Sequence, residues 1–312
     1  MNPAWSVVFF TVLAGCGQGL AVALALAVLA GAIAPATPFL LWGLALAMLL
    51  LVGGLASSFL HLGHPLRGWR AAAMWRTSWL SREVIVLPAF IGVLAAWWLA
   101  VWRGAPVPAL DWALPLAAIG GAALLWLCTA MIYACIRFIQ EWAHPLTVAN
   151  YVLIGLSSGL VLAAALAFAR GEARLASALG APALLVTLVA GIVRMASFRR
   201  NAGLKPRSTL QSATGIRARR LVQMTMGLSG GSFNTREFFH GLAEAAVRRV
   251  RLAALALGFG LPLALGAWAL LTGTGTAWLA AVLVQAVGLL AERWVFFAQA
   301  RHPQNLYYQR VG

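Results

Sequence analysis

The stretch WSVVFFTVLAGCGQGLAVALALAVLAGAI, residues 5–33, runs without one charged side chain. A helix of about 20 apolar residues already crosses the hydrocarbon core of a bilayer. One this long with no polar face has nothing to turn to water, so residues 5–33 read as a membrane span rather than a buried core helix. Outward from it the pattern recurs near 38–62, 83–103, 112–136, 147–169, 176–198, 252–272 and 276–298. Gly and Pro mark the breaks, as in Ala34-Pro35-Ala36-Thr37-Pro38 and Thr272-Gly273-Thr274-Gly275. Apolar residues make up 62% of the chain and charged residues 10%, against about 25% charged in a soluble domain. The expected class is all-α: a polytopic integral membrane protein, one membrane domain over 1–312, with eight transmembrane helices that divide into two four-helix bundles. Gly15, Gly17 and Gly19, Gly120 and Gly121, and Gly155 and Gly159 suit close helix–helix approach.

Lys and Arg number 23 against 7 Asp and Glu, a net charge of +16. On a soluble surface that excess would suggest nucleic acid; here it sits in the connections between spans, and nucleic-acid binding is excluded. With both termini on one face, 20 of the 23 basic residues share that face, leaving Arg103, Arg170 and Arg174 opposite. Cytoplasmic connections carry the Lys/Arg excess, so both termini are expected inside. Met1-Asn2-Pro3-Ala4-Trp5 has no basic leader and no twin arginine, so the first span is expected to be retained. Ser78-Trp79-Leu80-Ser81-Arg82-Glu83 and Ser232-Phe233-Asn234-Thr235-Arg236-Glu237 echo each other about half a chain apart, which suggests a four-plus-four duplication.

The densest polar group lies between the second and third spans: His61-Leu62-Gly63-His64-Pro65-Leu66-Arg67-Gly68-Trp69-Arg70, then Trp79 to Glu83. His61 and His64, three apart, are expected on one face of the last helical turn, with Glu83 opening the third span at a favourable helix N-terminus. An aromatic belt with snorkelling arginines accounts for the Trp and Arg residues taken singly. It accounts less well for a histidine facing a carboxylate at the bilayer boundary, where ionisable groups are expensive. That pair suits quinone chemistry, which needs two electrons, two protons, a proton route to water and apolar walls. His61 and Glu83 are the candidate catalytic groups. His64, Arg67, Trp69, Trp79 and Gln18 join them as quinone contacts, although helix–helix hydrogen bonding is the ordinary use of Gln18.

Cys16, Cys128 and Cys135 have no metal-ligand spacing, and all five histidines lie at one face, so neither a metal site nor a membrane-crossing haem is expected. Glu141-Trp142-Ala143-His144-Pro145 reads as a structural turn, and Glu292-Arg293 as a pair that bonds internally or snorkels. The connection 199–251 carries a basic amphipathic core at 215–224, suited to anionic lipid and to a soluble partner alike. Arg217, Arg219, Arg220, Arg236 and His240 are its docking candidates. A permease would need charged residues at the midplane, and a purely structural anchor would need no His/Glu pair; both are competing readings.

His61-Leu62-Gly63-x-Pro65 with Trp79-Leu80-Ser81-Arg82-Glu83 resembles the eight-span membrane-anchor subunits of dimethyl-sulfoxide-reductase-type complex iron–sulfur molybdoenzymes. Phe138-Ile139-Gln140-Glu141-Trp142-x-His144-Pro145-Leu146-Thr147, the run from Gly230 to His240, and Ala291-Glu292-Arg293-Trp294-Val295-Phe296-Phe297 are similar to the anchors of cytoplasmic membrane-bound sulfite dehydrogenases. The resemblance runs almost end to end. It implies a bacterial inner-membrane anchor without metal, a four-cluster iron–sulfur subunit and a molybdopterin catalytic subunit as partners, and exchange of electrons with ubiquinone or menaquinone. His61 then matches the essential quinol-site histidine and Glu83 its neighbouring acid. The chain departs from the reductase pattern at His64, where those anchors have a small polar residue, and near the last span, where Glu292 is offset from their acid. The cytoplasmic orientation favours sulfite oxidation with quinone as acceptor over quinol oxidation by a dimethyl-sulfoxide-type reductase.

Overall fold

The computed structural model describes residues 1–60, 62–104, 108–222, 224–225, 237–238 and 240–306. Eight helices are long and apolar enough to cross a membrane. They are α1 (Trp5–Leu29), α2 (Pro38–Phe59), α3 (Trp79–Arg103), α4 (Pro108–Ala134), α5 (Pro145–Ala169), α6 (Ala173–Ala202), α7 (Glu244–Thr272) and α8 (Thr276–Ala298). No strand occurs among the described residues.

Local chemistry sets the ends. Pro38 and Pro145 open α2 and α5, positions where an N–H would be unused. Thr37, Ser78 and His144 cap α2, α3 and α5, accepting from the N–H of Leu40, Ser81 and Leu146 at 3.4, 3.3 and 3.2 Å. Because Ser78 is the cap, α3 starts ahead of residue 83 and Glu83 stands in its second turn, not at its N-terminus. Helix α7 also starts earlier than its apolar stretch, in a basic extension where Arg248 and Arg249 are exposed and Arg251 packs 5.1 Å over the Phe198 ring.

The two most buried helices are α1 and α5, and they cross at glycine. A Cβ on Gly19 would fall 1.9 Å from the Gly155 carbonyl oxygen, and one on Gly159 would fall 1.9 Å from the Gly19 carbonyl carbon. Around this crossing the neighbours repeat. Helix α1 packs on α2 and α4, α5 on α6 and α8, and the α4–α5 contact is matched by α8 against α1. Residues 256–260 of α7 form a π turn beside Gly288 of α8. The Gln285 amide donates to the Gly258 carbonyl in that turn (3.3 Å) and to the Ser157 hydroxyl (3.0 Å), which bonds Thr187 at 2.7 Å. Gln285 thus ties α5, α6, α7 and α8 together. Leu49, Leu271 and Leu283 stay exposed on the outer faces, as suits lipid contact.

Candidate functional site

Helix α2 ends at Phe59, short of the expected 62, because Gly63 and Pro65 disfavour its continuation. His64 lies beyond the end of α2; His61, its expected partner on one face, lies outside the described residues. His64 is exposed and precedes a 3-10 helix, Pro65–Met74. Arg67 and Trp69 sit on that helix facing outward, with the Arg70 guanidinium 5.6 Å above the Trp69 ring. Trp79 is half-buried beneath the Arg82 guanidinium, 4.2 Å from its ring centre. Arg82 also donates to the carbonyls of Trp75 and Arg76, both at 2.9 Å, which clamps the turn into α3.

Glu83 turns the other way. It is 5% exposed, and its carboxylate accepts from the Thr129 hydroxyl on α4. Among the described residues no cation pairs with it. Gln18 is buried in α1 with its Oε1 unpartnered. Of the candidate contacts, then, Glu83 and Gln18 enter the bundle, Trp79 lies at its rim, and His64, Arg67 and Trp69 lie on its surface.

The structure adds a second polar centre that the sequence does not single out as a site. Arg194 and Arg293, counted above among the cations of one membrane face, are buried inside α6 and α8. Glu292 does not snorkel. Arg194 Nε lies 2.6 Å from its Oε1, and Arg293 donates both to Oε1 at 2.9 Å and to Oε2. Phenyl and phenol rings complete the shell: Arg194 lies 4.2 Å over Phe198, and Arg293 lies 4.4 Å over Tyr151. Tyr151 stacks on Tyr133 of α4 at 6.0 Å, and Tyr133 is boxed by Trp142, Phe296 and Phe297 at 5.2–5.4 Å. Thr129 and Tyr133 are four apart on α4, the spacing of one helical face. A polar pair at that spacing inside an apolar span was the signal available in the sequence. Nothing comparable marks Arg194, whose acid lies on another helix.

At the face where the α8 terminus meets Met1 (Met1 N to the Ala298 and Ala300 carbonyls, 3.0 Å each), the connections gather. Gln140 donates to the Lys205 carbonyl at 3.3 Å, and Arg200 to the Gln140 carbonyl at 3.0 Å. They enclose a hollow of about 590 Å³ lined by Phe138, Glu141, Lys205, Arg207, Arg301 and Leu306 among others. Burial pushes the Glu141 carboxyl above its ordinary value, against backbone hydrogen bonds and Arg301. Arg217, Arg219 and Arg220 are exposed on a stretch without helix, and Arg236 lies outside the described residues. His240 is half-buried, accepts from the Leu242 N–H at 3.1 Å and is held below its ordinary value by burial. Among the described residues no group of three or more His, Cys, Asp or Glu could hold a metal ion.

The family model described as DMSO reductase anchor subunit (DmsC) matches residues 1–215. One sulfite dehydrogenase subunit, from Allochromatium vinosum, is 46% identical over a 333-residue alignment spanning all of both chains. Anaerobic dimethyl sulfoxide reductase chain YnfH of Escherichia coli K12 is 30% identical over 164 residues, 52% of this chain and 57% of that one.

Proposed function

The chain belongs to the family of DMSO reductase anchor subunits, and from that premise we propose that it is the quinone-reactive membrane anchor of a sulfite-oxidising molybdenum/iron–sulfur oxidoreductase. Electrons from a molybdopterin catalytic subunit pass through a four-cluster iron–sulfur subunit docked on the basic face, near Arg217, Arg219, Arg220, Arg236 and His240. They reach ubiquinone or menaquinone in the acyl region beside Glu83 and His61. The basic face is cytoplasmic, and the membrane is the bacterial inner membrane. End-to-end likeness to a sulfite dehydrogenase subunit favours sulfite as the electron source.

One observation carries the site. Glu83 is buried at the membrane boundary with a neutral hydroxyl for a partner and no cation among the described residues. An arginine beside it would form an ion pair, as Arg194 and Arg293 do with Glu292. A hydroxyl leaves it free to gain and lose a proton, which quinone reduction requires twice per two electrons. His61 exchanges the proton with the quinone oxygen, Glu83 orients or relays, and Trp79 forms part of the wall. In the assembled complex, Glu83→Gln and His61→Ala are expected to lower sulfite-to-quinone turnover by about a hundredfold or more. Sulfite oxidation with an artificial acceptor that meets the soluble subunits should persist. Unchanged quinone turnover in both variants would make the chain an inert anchor.

The same site run backwards, quinol feeding a dimethyl-sulfoxide-type reductase, is the second reading, favoured by the family model over residues 1–215. The assembled complex separates the two by its reaction: sulfite with quinone, or dimethyl sulfoxide with quinol.

A further inference from the structure

Two small cavities flank the Arg194–Glu292–Arg293 centre, one against Arg293 with a mixed apolar and polar lining, the other against Arg194 and largely polar. One, of about 20 Å³, is lined by Arg293, Tyr151, Thr11, Cys16 and Ser158 among others. The other, of about 10 Å³, is lined by Arg194, Asn150, Ser197 and Thr147 and by residues of the termini-bearing face, Glu141, His144, Arg200 and Asn201. Each has the size of one or two water molecules. Each is lined by residues that carry a buried polar atom without a hydrogen-bond partner: Tyr151, at its hydroxyl, in the first, and Asn150 and Arg194, at Oδ1 and Nη2, in the second. A donor and an acceptor left open at one water-sized cavity are what a bridging water satisfies.

From the first cavity the polar contacts lead on to Glu83. The Tyr151 ring lies 4.4 Å beneath the Arg293 guanidinium and stacks on Tyr133 at 6.0 Å. Tyr133 is one turn from Thr129, which bonds Glu83. On the reading of Glu83 as part of the quinone site, we propose that this line of groups is a hydrated proton route from the termini-bearing surface to Glu83. It enters at Glu141, His144 and Arg200, passes Arg194, Glu292 and Arg293, and crosses by Tyr151 and Tyr133. Quinone takes two electrons from an iron–sulfur cluster of the partner subunit and two protons from the protein. Each proton that Glu83 passes to His61, and His61 to a quinone oxygen, leaves a carboxylate behind at Glu83, and the route returns a proton to it.

Tyr151→Phe is the discriminating variant. Its hydroxyl has no hydrogen-bond partner of good geometry, so a merely structural Tyr151 gives a variant as stable and as active as the parent. A relay gives at least a tenfold fall in sulfite-to-quinone turnover in the assembled complex, at unchanged thermal stability and unchanged artificial-acceptor rate. Its rate should also become more sensitive to replacing H₂O by D₂O, because proton delivery then limits it. Tyr133→Phe, which keeps the aromatic box, is expected to repeat the result. Quinone turnover within twofold of the parent in both variants overturns the route. If Glu83→Gln abolishes quinone turnover while both tyrosine variants keep it, the route alone fails; if Glu83→Gln keeps it too, the site reading fails with it.

Discussion

The imidazole of His144 is the N-cap of α5, and only an unprotonated Nδ1 can accept the Leu146 N–H. Burial, and after it the Arg200 guanidinium, hold this ring below its ordinary value. The folded protein thus binds the proton less readily than the unfolded chain. The stability that follows is full above the ordinary histidine range and is lost as pH falls from about 6.5 toward the lower folded value. Thermal unfolding of the purified protein between pH 7.5 and 5.5 should show this loss, and His144→Asn, a cap that does not titrate, should flatten it. His144→Ala should cost about 1 kcal/mol at pH 7.5. An identical pH slope in parent and His144→Asn would remove the histidine from the account. Glu83 and Glu292 show how partners divide two buried acids: guanidinium groups pair with one, a neutral hydroxyl with the other. The sequence displays both acids equally, and only Glu83 stands out in it, because it has a histidine nearby in the chain. The partners that separate their chemistry, Thr129 and Arg194, come from other helices.

At the scale of elements, the eight apolar helices were legible from hydropathy alone, since no soluble packing hides so much hydrocarbon. Gly17, Gly19, Gly155 and Gly159 were legible as places of close approach, whereas Gly120, expected among them, faces open space. Which helices meet there was not, because a GxxxG-type spacing marks a face without naming its partner. His64 escapes its expected place for a related reason: spacing implies a helical face only while the helix lasts, and α2 stops before it. The α1–α5 crossing is backbone against backbone, so no side chain can move aside for an added methyl group. Gly159→Ala should therefore destabilise by about 3 kcal/mol or more, the upper end for overpacking. Gly53→Ala meets nothing closer than a Leu13 methyl at 3.9 Å and should be neutral. Thermal melting in one detergent compares the two. Equal melting would mean α1 and α5 are not in contact at glycine.

For the whole molecule, the fold gathers the connections that carry the cations onto the termini-bearing end, where Gln140, Lys205, Arg200 and Met1 are bonded together. The burial of Arg194 and Arg293 changes what the charge excess means. Neither cation is free to interact with lipid headgroups or the cytoplasm, so they drop out of the topological count, which still leaves 18 basic residues on that end against three opposite. On the proposed function the richer end faces the cytoplasm, the side the bias favours, and there a soluble electron donor and a proton source would have to meet Glu83. The orientation is therefore a premise of both the site and the proton route. Single cysteines introduced at Lys205 and Arg217, in a chain with Cys16, Cys128 and Cys135 replaced by Ala, should react with an impermeant thiol reagent only after cells are opened. One at Gly171, between α5 and α6, should react in intact cells. Labelling of position 205 or 217 in intact cells would put the basic end outside, and a cytoplasmic partner could not reach it.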